Sequence, residues 1–402
     1  MKKLLTILCF LITFFVGESF AQPIKELEPY TSFLNKQHLS AKDYIIHLFD
    51  QYDIVIFGER LHDELTQYDL LLSVIGSKEF RNKVGNIFME IGGSNFDTPI
   101  NEYLLSENLT KQRSIEKALA IQRNMSWYPL WDSYNYHYFL TGLYEINKSL
   151  SPSEKLQLHP TDIAIDWQSI KTTEDLQNKI QNRKVQLGRD SVMAKNIISK
   201  IEALNKQEGK RKKYFIIMNA GHTGKGEYAI MGSKIKSATS YIFDKYPTLT
   251  ANVITNYQNL LFLKNPSALP PAVPILNGKW DAAFELLGMD DKGFDIKNSP
   301  LENQIFENLP MADSTVTYKN VYTGYVFYKS APKHENVTGV SNIVTNTFEP
   351  ELIRRWKLWT PTDTATYEAW RSTAQKENIV VKKNMEGLSE YWKAVIQWLK
   401  TE

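Results

Sequence analysis

Two acids, two imidazoles and a guanidinium carry the chemistry this sequence could do: Glu59, Glu90, His62, His222 and Arg189. The stretch Gly58-Glu59-Arg60-Leu61-His62 begins where the apolar run Ile54-Val55-Ile56-Phe57 stops. Glu90 closes a second apolar run, Ile87-Phe88-Met89, and His222 follows a third, Tyr214-Phe215-Ile216-Ile217-Met218. Open α/β sheets bind ligands beyond the carboxyl ends of their strands, so neighbouring strands would deliver these groups into one pocket. An imidazole titrates near neutrality and suits His62 to the role of general base. Glu59 or Glu90, bonded to its other nitrogen, would fix the tautomer and stabilise the imidazolium. His222 and Arg189 could then donate to a developing oxyanion.

That set suits cleavage of an ester or similar acyl bond in a small molecule. The chain has no Gly-x-Ser-x-Gly elbow, and its single cysteine is Cys9, so the two commonest acyl-transfer nucleophiles are missing and water is the expected attacker. The same two histidines and two carboxylates could instead hold zinc or manganese. No His-Glu-x-x-His or Asp-x-Asp cluster accompanies them. Taken singly, Glu59 and Glu90 read as surface charges, His222 as a core histidine and Arg189 as half of a structural ion pair. Their joint placement argues for a site. His38, His47, His137, His159 and His334 have no comparable setting and are expected outside it.

The elements that must position these groups alternate strand-like and helix-like patterns, which predicts an α/β fold with a central, mostly parallel sheet flanked by helices. After the first strand, Leu65, Tyr68, Leu72 and Ile75 share a helical face, with Asp63 as the expected N-cap. Gly92-Gly93 permits a sharp exit after Glu90. A helical, aromatic-rich insertion is expected over about 97–150, with Trp127, Tyr128, Trp131, Tyr134, Tyr136, His137, Tyr138 and Tyr144. Such residues chiefly pack a core, and a roof over the pocket is the alternative. Leu156 to His159 reads as a strand with Asp162 and Asp166 beyond it, and a helix is expected to open near Arg189-Asp190. Another strand is expected over 251–257, a proline-rich linker over 265–274, a helix over 279–287 and a strand over 322–328. A C-terminal extension from about 265 to 402 would end in helices over 350–358, 364–375 and 387–400.

Residues 1–21 read as an export signal: Lys2 and Lys3, an apolar stretch from Leu4 to Val16, then Ser19-Phe20-Ala21. The stretch is too short for a span of about 20 residues, and no later segment is long and uncharged enough for one, so no transmembrane segment is expected in the remaining 22–402 domain. A bacterial periplasmic or secreted location follows from the signal and the composition. The formal charge of +2 gives no reason to expect nucleic acid. The sequence does not disclose an oligomeric state.

In order, Gly58-Glu59-Arg60-Leu61-His62, Phe88-Met89-Glu90, Arg189-Asp190-Ser191-Val192-Met193-Ala194-Lys195-Asn196 and Asn219-Ala220-Gly221-His222 resemble the erythromycin esterase-like superfamily. That group is similar to haem-binding iron-regulated lipoproteins and to Wnt-clipping membrane metalloproteases. The resemblance runs from about Asp53 to Thr223. It implies an α/β fold with a helical insertion and ester hydrolysis without a cofactor. His62 matches the general base, and Glu59, Glu90, Arg189 and His222 match the supporting residues. This chain departs from the esterases at Arg60, Leu61 and Asp63, where they have small residues and a glycine, and at Asn219, where they have a second histidine. Arg60 is expected near the pocket mouth, which speaks against a macrolide substrate. The Gly-His-Thr-Gly-Lys-Gly turn is closer to the haem-binding branch, with the tyrosine-rich insertion as a source of iron ligands. A haem- or metal-binding protein of the cell envelope, a metal-dependent hydrolase and an inactive relative therefore stand as alternatives.

Overall fold

The computed structural model describes residues 25–131, 133–209, 211–230, 232–256, 259–260, 272–307, 309, 311–361, 367–368, 371, 382–383 and 389–400. The export signal, most of the 265–274 linker and most of the 364–375 helix lie outside these residues.

Seven strands form the central sheet: β1 (Ile54–Glu59), β2 (Val84–Gly93), β3 (Gln157–Asp162), β4 (Lys213–Asn219), β5 (Thr250–Thr255), β6 (Asp291–Asp295) and β7 (Gly324–Tyr328). Their order is β6-β7-β5-β1-β4-β2-β3. All neighbours pair parallel except β6, which runs antiparallel to β7 at one edge. The α/β expectation holds. The antiparallel edge strand is an addition to it.

Continuous apolar runs make the central strands because both sheet faces are covered. Val55, Phe57, Ile87, Met89, Phe215 and Ile217 pack one face, against helices that include Ala41–Gln51, Thr66–Ile75 and Tyr134–Lys148. Ile54, Ile56, Phe88, Tyr214, Ile216 and Met218 pack the other, against helices Arg183–Asn205 and Ala238–Lys245. Successive residues of one strand thus serve opposite faces, as the two-residue period of a strand requires.

Three expected boundaries shift. The helix carrying Arg189 opens at Arg183, where Asn182 accepts the Val185 N–H (2.8 Å), so Arg189 sits in the second turn. Asp63 does not cap the helix Thr66–Ile75; the Glu64 carboxylate accepts the Thr66 and Gln67 N–H groups instead (2.9 and 3.2 Å). The expected 251–257 and 322–328 strands span Thr250–Thr255 and Gly324–Tyr328. C-terminal helices occupy Glu349–Trp359 and Ser389–Leu399, close to expectation. Among the described residues, no helix is long and apolar enough to cross a membrane.

Chain order reverses at β1, which lies between β4 and β5. The carboxyl ends of β1, β2, β3 and β4 therefore open side by side at a topological switch point.

Candidate active site

Gly58, the penultimate residue of β1, has to be glycine, since a Cβ there would lie 2.9 Å from Thr223 Oγ1 and from the Val253 carbonyl oxygen. Glu59 ends the strand fully buried. Its Oε1 meets His62 Nδ1 at 3.1 Å and accepts the Tyr68 hydroxyl at 2.7 Å. Its Oε2 is buried without a donor among the described residues. The turn to His62 is held by Gln67, which accepts the Arg60 N–H (2.6 Å) and donates to the Leu61 carbonyl (2.7 Å). Asn135 Nδ2 donates to the His62 carbonyl, and the Trp131 ring stands edge-on to the imidazole with centroids 5.1 Å apart. The His62 side chain keeps 30% of its surface exposed, and its Nε2 lies 3.9 Å from Glu90 Oε1. Burial pushes its pKa down, but the Glu59 charge and hydrogen bond, with Glu90 behind them, raise it above 6.5.

Glu90, on β2, is almost sealed. Its Oε1 accepts Arg189 Nη2 (2.8 Å) and faces His222 Nε2 (3.3 Å), while Oε2 accepts the Asn219 N–H (2.8 Å). Burial would raise its pKa, yet the His222 and Arg189 charges hold it well below the usual carboxylate range. Arg189 also forks onto Asp162 at the end of β3, with Nε on Oδ1 and Nη2 on Oδ2, both 2.9 Å. Such a bidentate pair fixes a planar guanidinium. His222 places Nδ1 2.8 Å from Asp190 Oδ1, an oxygen that also accepts the Ala238 N–H. Burial disfavours its charge, but Asp190 and Glu90 raise its pKa to about 10, so at neutral pH it is an imidazolium donating from both nitrogens. His222 and Arg189 are then two cations converging on one carboxylate oxygen.

All five residues singled out in the sequence belong to this connected network. His62, Glu90 and Arg189 line a cleft of about 80 Å³ together with Ile91, Gly92, Ser126, Trp127, Tyr128, Trp131 and Asp162. Glu59 stands behind His62, and His222 is not among the lining residues. The expected exit directly after Glu90 does not occur: Gly92, with a φ of 110°, lies inside β2 at a register irregularity against β3, and the strand runs on to Gly93. Larger hollows lie elsewhere, one of about 1000 Å³ beside Ile115, Leu119 and Tyr134, which holds none of the five. His159 pairs with Asp97 and Asn86, outside the cleft, and His137 borders that wide hollow.

The sequence reading missed Asp162, Tyr68 and Trp127 as members of the site, although Asp162 ends a strand as Glu59 does. It also named Asp190 only as part of a motif. The expectation for Arg60 is corrected: it does not reach the mouth. Its guanidinium is buried, bonded to Glu64, Asn256 and the Tyr328 carbonyl. Asn219, at the position of the missing histidine, donates to the Arg60 carbonyl (2.6 Å) and bridges β4 to the His62 turn. The insertion divides its aromatics. Tyr136 and Tyr144 are core, whereas Trp127, Tyr128 and Trp131 wall the cleft.

No protein-family model and no curated protein matches this chain. Among solved structures, it is similar to the erythromycin esterase EreC in its open conformation, at 12% identity and a TM-score of 0.45, over 76% of this chain and 96% of that one. It is similar to a succinoglycan biosynthesis protein at 10% identity and a TM-score of 0.45, over 77% and 94% of the two chains. It is also similar to ChaN of Campylobacter jejuni, described with cofacially bound haem, at 12% identity and a TM-score of 0.34, over 56% and 89%. At these values the matches carry no argument about chemistry.

Proposed function

We propose that the protein is a hydrolase that cleaves an ester or similar acyl bond with water activated by His62. The observation that carries this reading is the orientation of His62, with Nδ1 on Glu59 and Nε2 turned into the cleft beside Glu90. With Nδ1–H donated to Glu59, the neutral ring presents its Nε2 lone pair to a water in the cleft. The water's proton passes to Nε2 as its oxygen attacks the acyl carbon, and the Glu59 charge stabilises the imidazolium that results. Arg189 Nη1 has no carboxylate acceptor among the described residues and lies 3.4 Å from His222 Nε2. It is the donor left for the oxyanion. Collapse of the tetrahedral intermediate returns the proton from His62 to the leaving alkoxide. Ser126, a hydroxyl on the cleft wall, accepts the Tyr128 N–H (3.1 Å) and has no histidine partner among the described residues, which favours water over a serine nucleophile.

The donor set supports a mechanism without a metal or haem. The Arg189 guanidinium donates to Glu90 Oε1, so its charge sits against the carboxylate where a divalent cation would have to go. A cleft of about 80 Å³ does not admit a macrocycle; of the insertion's tyrosines, Tyr136 and Tyr144 are core side chains and Tyr128 stands on the cleft wall. Export from the cell, with cleavage after Ala21, is part of the proposal.

The test is a panel of acyl esters offered to chelator-treated protein, with His62→Ala and Glu90→Ala beside it. Wild type is expected to turn over at least one ester. His62→Ala should lose about 10²–10⁴-fold in kcat, the usual worth of a general base. Full activity in His62→Ala, or a strict requirement for added metal, would refute the mechanism.

A further inference from the structure

We propose that the cleft continues into an aromatic shelf that binds a flat, uncharged aryl group of the substrate, with Trp359 as a specificity-determining residue. This rests on reading the cleft as a hydrolytic site and adds the substrate class.

The cleft, at about 80 Å³, accommodates a scissile acyl group and little more, so the remainder of any substrate lies outside it. What it meets there is aromatic. Trp127 and Tyr128, both on the cleft wall, stack with centroids 4.2 Å apart and planes 21° from parallel. Trp359, the last residue of helix Glu349–Trp359, joins both rings, 5.4 Å from Trp127 and 5.3 Å from Tyr128. Tyr128 keeps 40% of its surface exposed. Trp127 and Trp359 are partly buried against the small apolar cluster of Ile165, Trp167, Ile170, Leu176 and Ile180, which leaves Tyr128 as the open member of the shelf.

The shelf is bolted to the ionic network. Trp127 donates its indole N–H to Asp162 Oδ2 (2.7 Å), the carboxylate that also holds Arg189. The helix carrying Trp359 is fixed independently of the rings: Arg354 donates to the Ile170 and Trp167 carbonyls, and Arg355 to the Arg123 carbonyl and Asn124 Oδ1, all at 2.7 Å. Rings held in place before binding lose little entropy when a ligand stacks on them.

Two features choose the ligand. The Trp127 and Tyr128 rings, near-parallel and with Trp359 inclined to them by 33° and 39°, extend naturally by one more aromatic ring. The charge then excludes ionised groups. The carboxylates Glu59, Glu90, Asp162 and Asp190 outnumber the cations Arg189 and His222, which disfavours an anion. Arg189 lies over the Trp127 ring at 5.7 Å, which disfavours a second cation on that face.

The test titrates 2-naphthylmethanol, and separately cyclohexylmethanol, into wild type, Trp359→Ala, Trp359→Phe, Tyr128→Ala and His62→Ala by calorimetry, with thermal melts to confirm that each variant is folded. Naphthylmethanol should bind wild type and His62→Ala alike. Trp359→Ala and Tyr128→Ala should weaken it about 3- to 10-fold, and Trp359→Phe should restore most of the loss. No binding to wild type, undiminished binding to Trp359→Ala, or equal affinity for the saturated ring would overturn the shelf. Because His62→Ala and product-like alcohols need no turnover, the shelf can stand or fall separately from the hydrolytic mechanism.

Discussion

Two buried ionic clusters interleave within six residues of chain. Glu59 and His62 turn toward the cleft, whereas Arg60 and Glu64, between and just after them, turn into the protein. The second cluster is closed. Arg60 gives Nε and Nη2 to Glu64 Oε2 (3.0 and 2.8 Å) and Nη1 to Asn256 and the Tyr328 carbonyl (2.7 and 3.0 Å), and both side chains are only 3% exposed. The cleft cluster is open. His62 is 30% exposed, and among the described residues Glu59 keeps a buried oxygen without a donor and Arg189 Nη1 has no carboxylate acceptor. Residue type alone does not separate structure from chemistry here. The difference is whether polar capacity is consumed inside the protein or left facing a space a ligand can enter.

The largest expected effect follows from breaking each cluster. Arg60→Ala would leave Glu64 buried and uncompensated, and truncating one partner of such a pair costs about 3–5 kcal/mol. His62→Ala removes a partly exposed ring, and cleft water can take its place beside the buried Glu59, which keeps the Tyr68 hydroxyl as a donor. Urea melts should therefore show a large loss for Arg60→Ala and a small one for His62→Ala, with the order reversed for turnover per folded molecule. Replacing both partners of the closed pair, as Arg60→Met with Glu64→Leu, should recover part of the lost stability. A double variant no more stable than Arg60→Ala would show that this cluster does more than neutralise itself.

Acid and alkali should separate the two clusters with opposite signs. His222, in the open cluster, has its folded pKa raised from 6.5 to about 10. Its contribution to stability is complete below 6.5, declines as pH rises and is gone above about 10. His334, packed against the closed cluster, is pushed down from 6.5 to about 3, first by burial and then by the Arg60 charge. Its contribution is complete above 6.5 and is lost as pH falls toward 3. In melts from pH 4 to 10, the gap between wild type and His222→Gln should narrow on the alkaline side. The gap for His334→Gln should narrow on the acid side. Both narrowing in the same direction would contradict the contrast.

What the sequence disclosed follows the range of the interactions involved. Strand runs such as Ile54 to Phe57 and Tyr214 to Met218 are local patterns, and the polar residues at their ends were legible with them. The stripe Met193, Ala194, Ile197, Ile201 and Leu204 marked its helix, but the polar first turns from Arg183 hid where that helix begins. The edge strand Asp291–Asp295 carries no alternation of apolar residues and was invisible. Arg60 was placed at the mouth because its partners Asn256 and Tyr328 lie 196 and 268 residues away, and no local pattern announces them. The fork of Arg189 onto Asp162 is likewise a tertiary event.

The smallest effect predicted is a displacement along the pH axis, and it tests whether the open cluster tunes its base or only holds it. In wild type the His62 pKa stands above 6.5 because Glu59 and Glu90 outweigh burial, so the rising limb of kcat/KM, which needs the neutral ring, should fall above that value. Glu59→Gln keeps a group of the same shape but removes the charge that lies nearest. Burial then weighs more heavily, and the limb should move to lower pH by about one unit, within the usual effect of a neighbouring charge. The plateau rate should fall as well, since a neutral amide stabilises the imidazolium less. A limb that stays in place in Glu59→Gln would mean that some other group sets it, and that the contact at 3.1 Å orients His62 without tuning it.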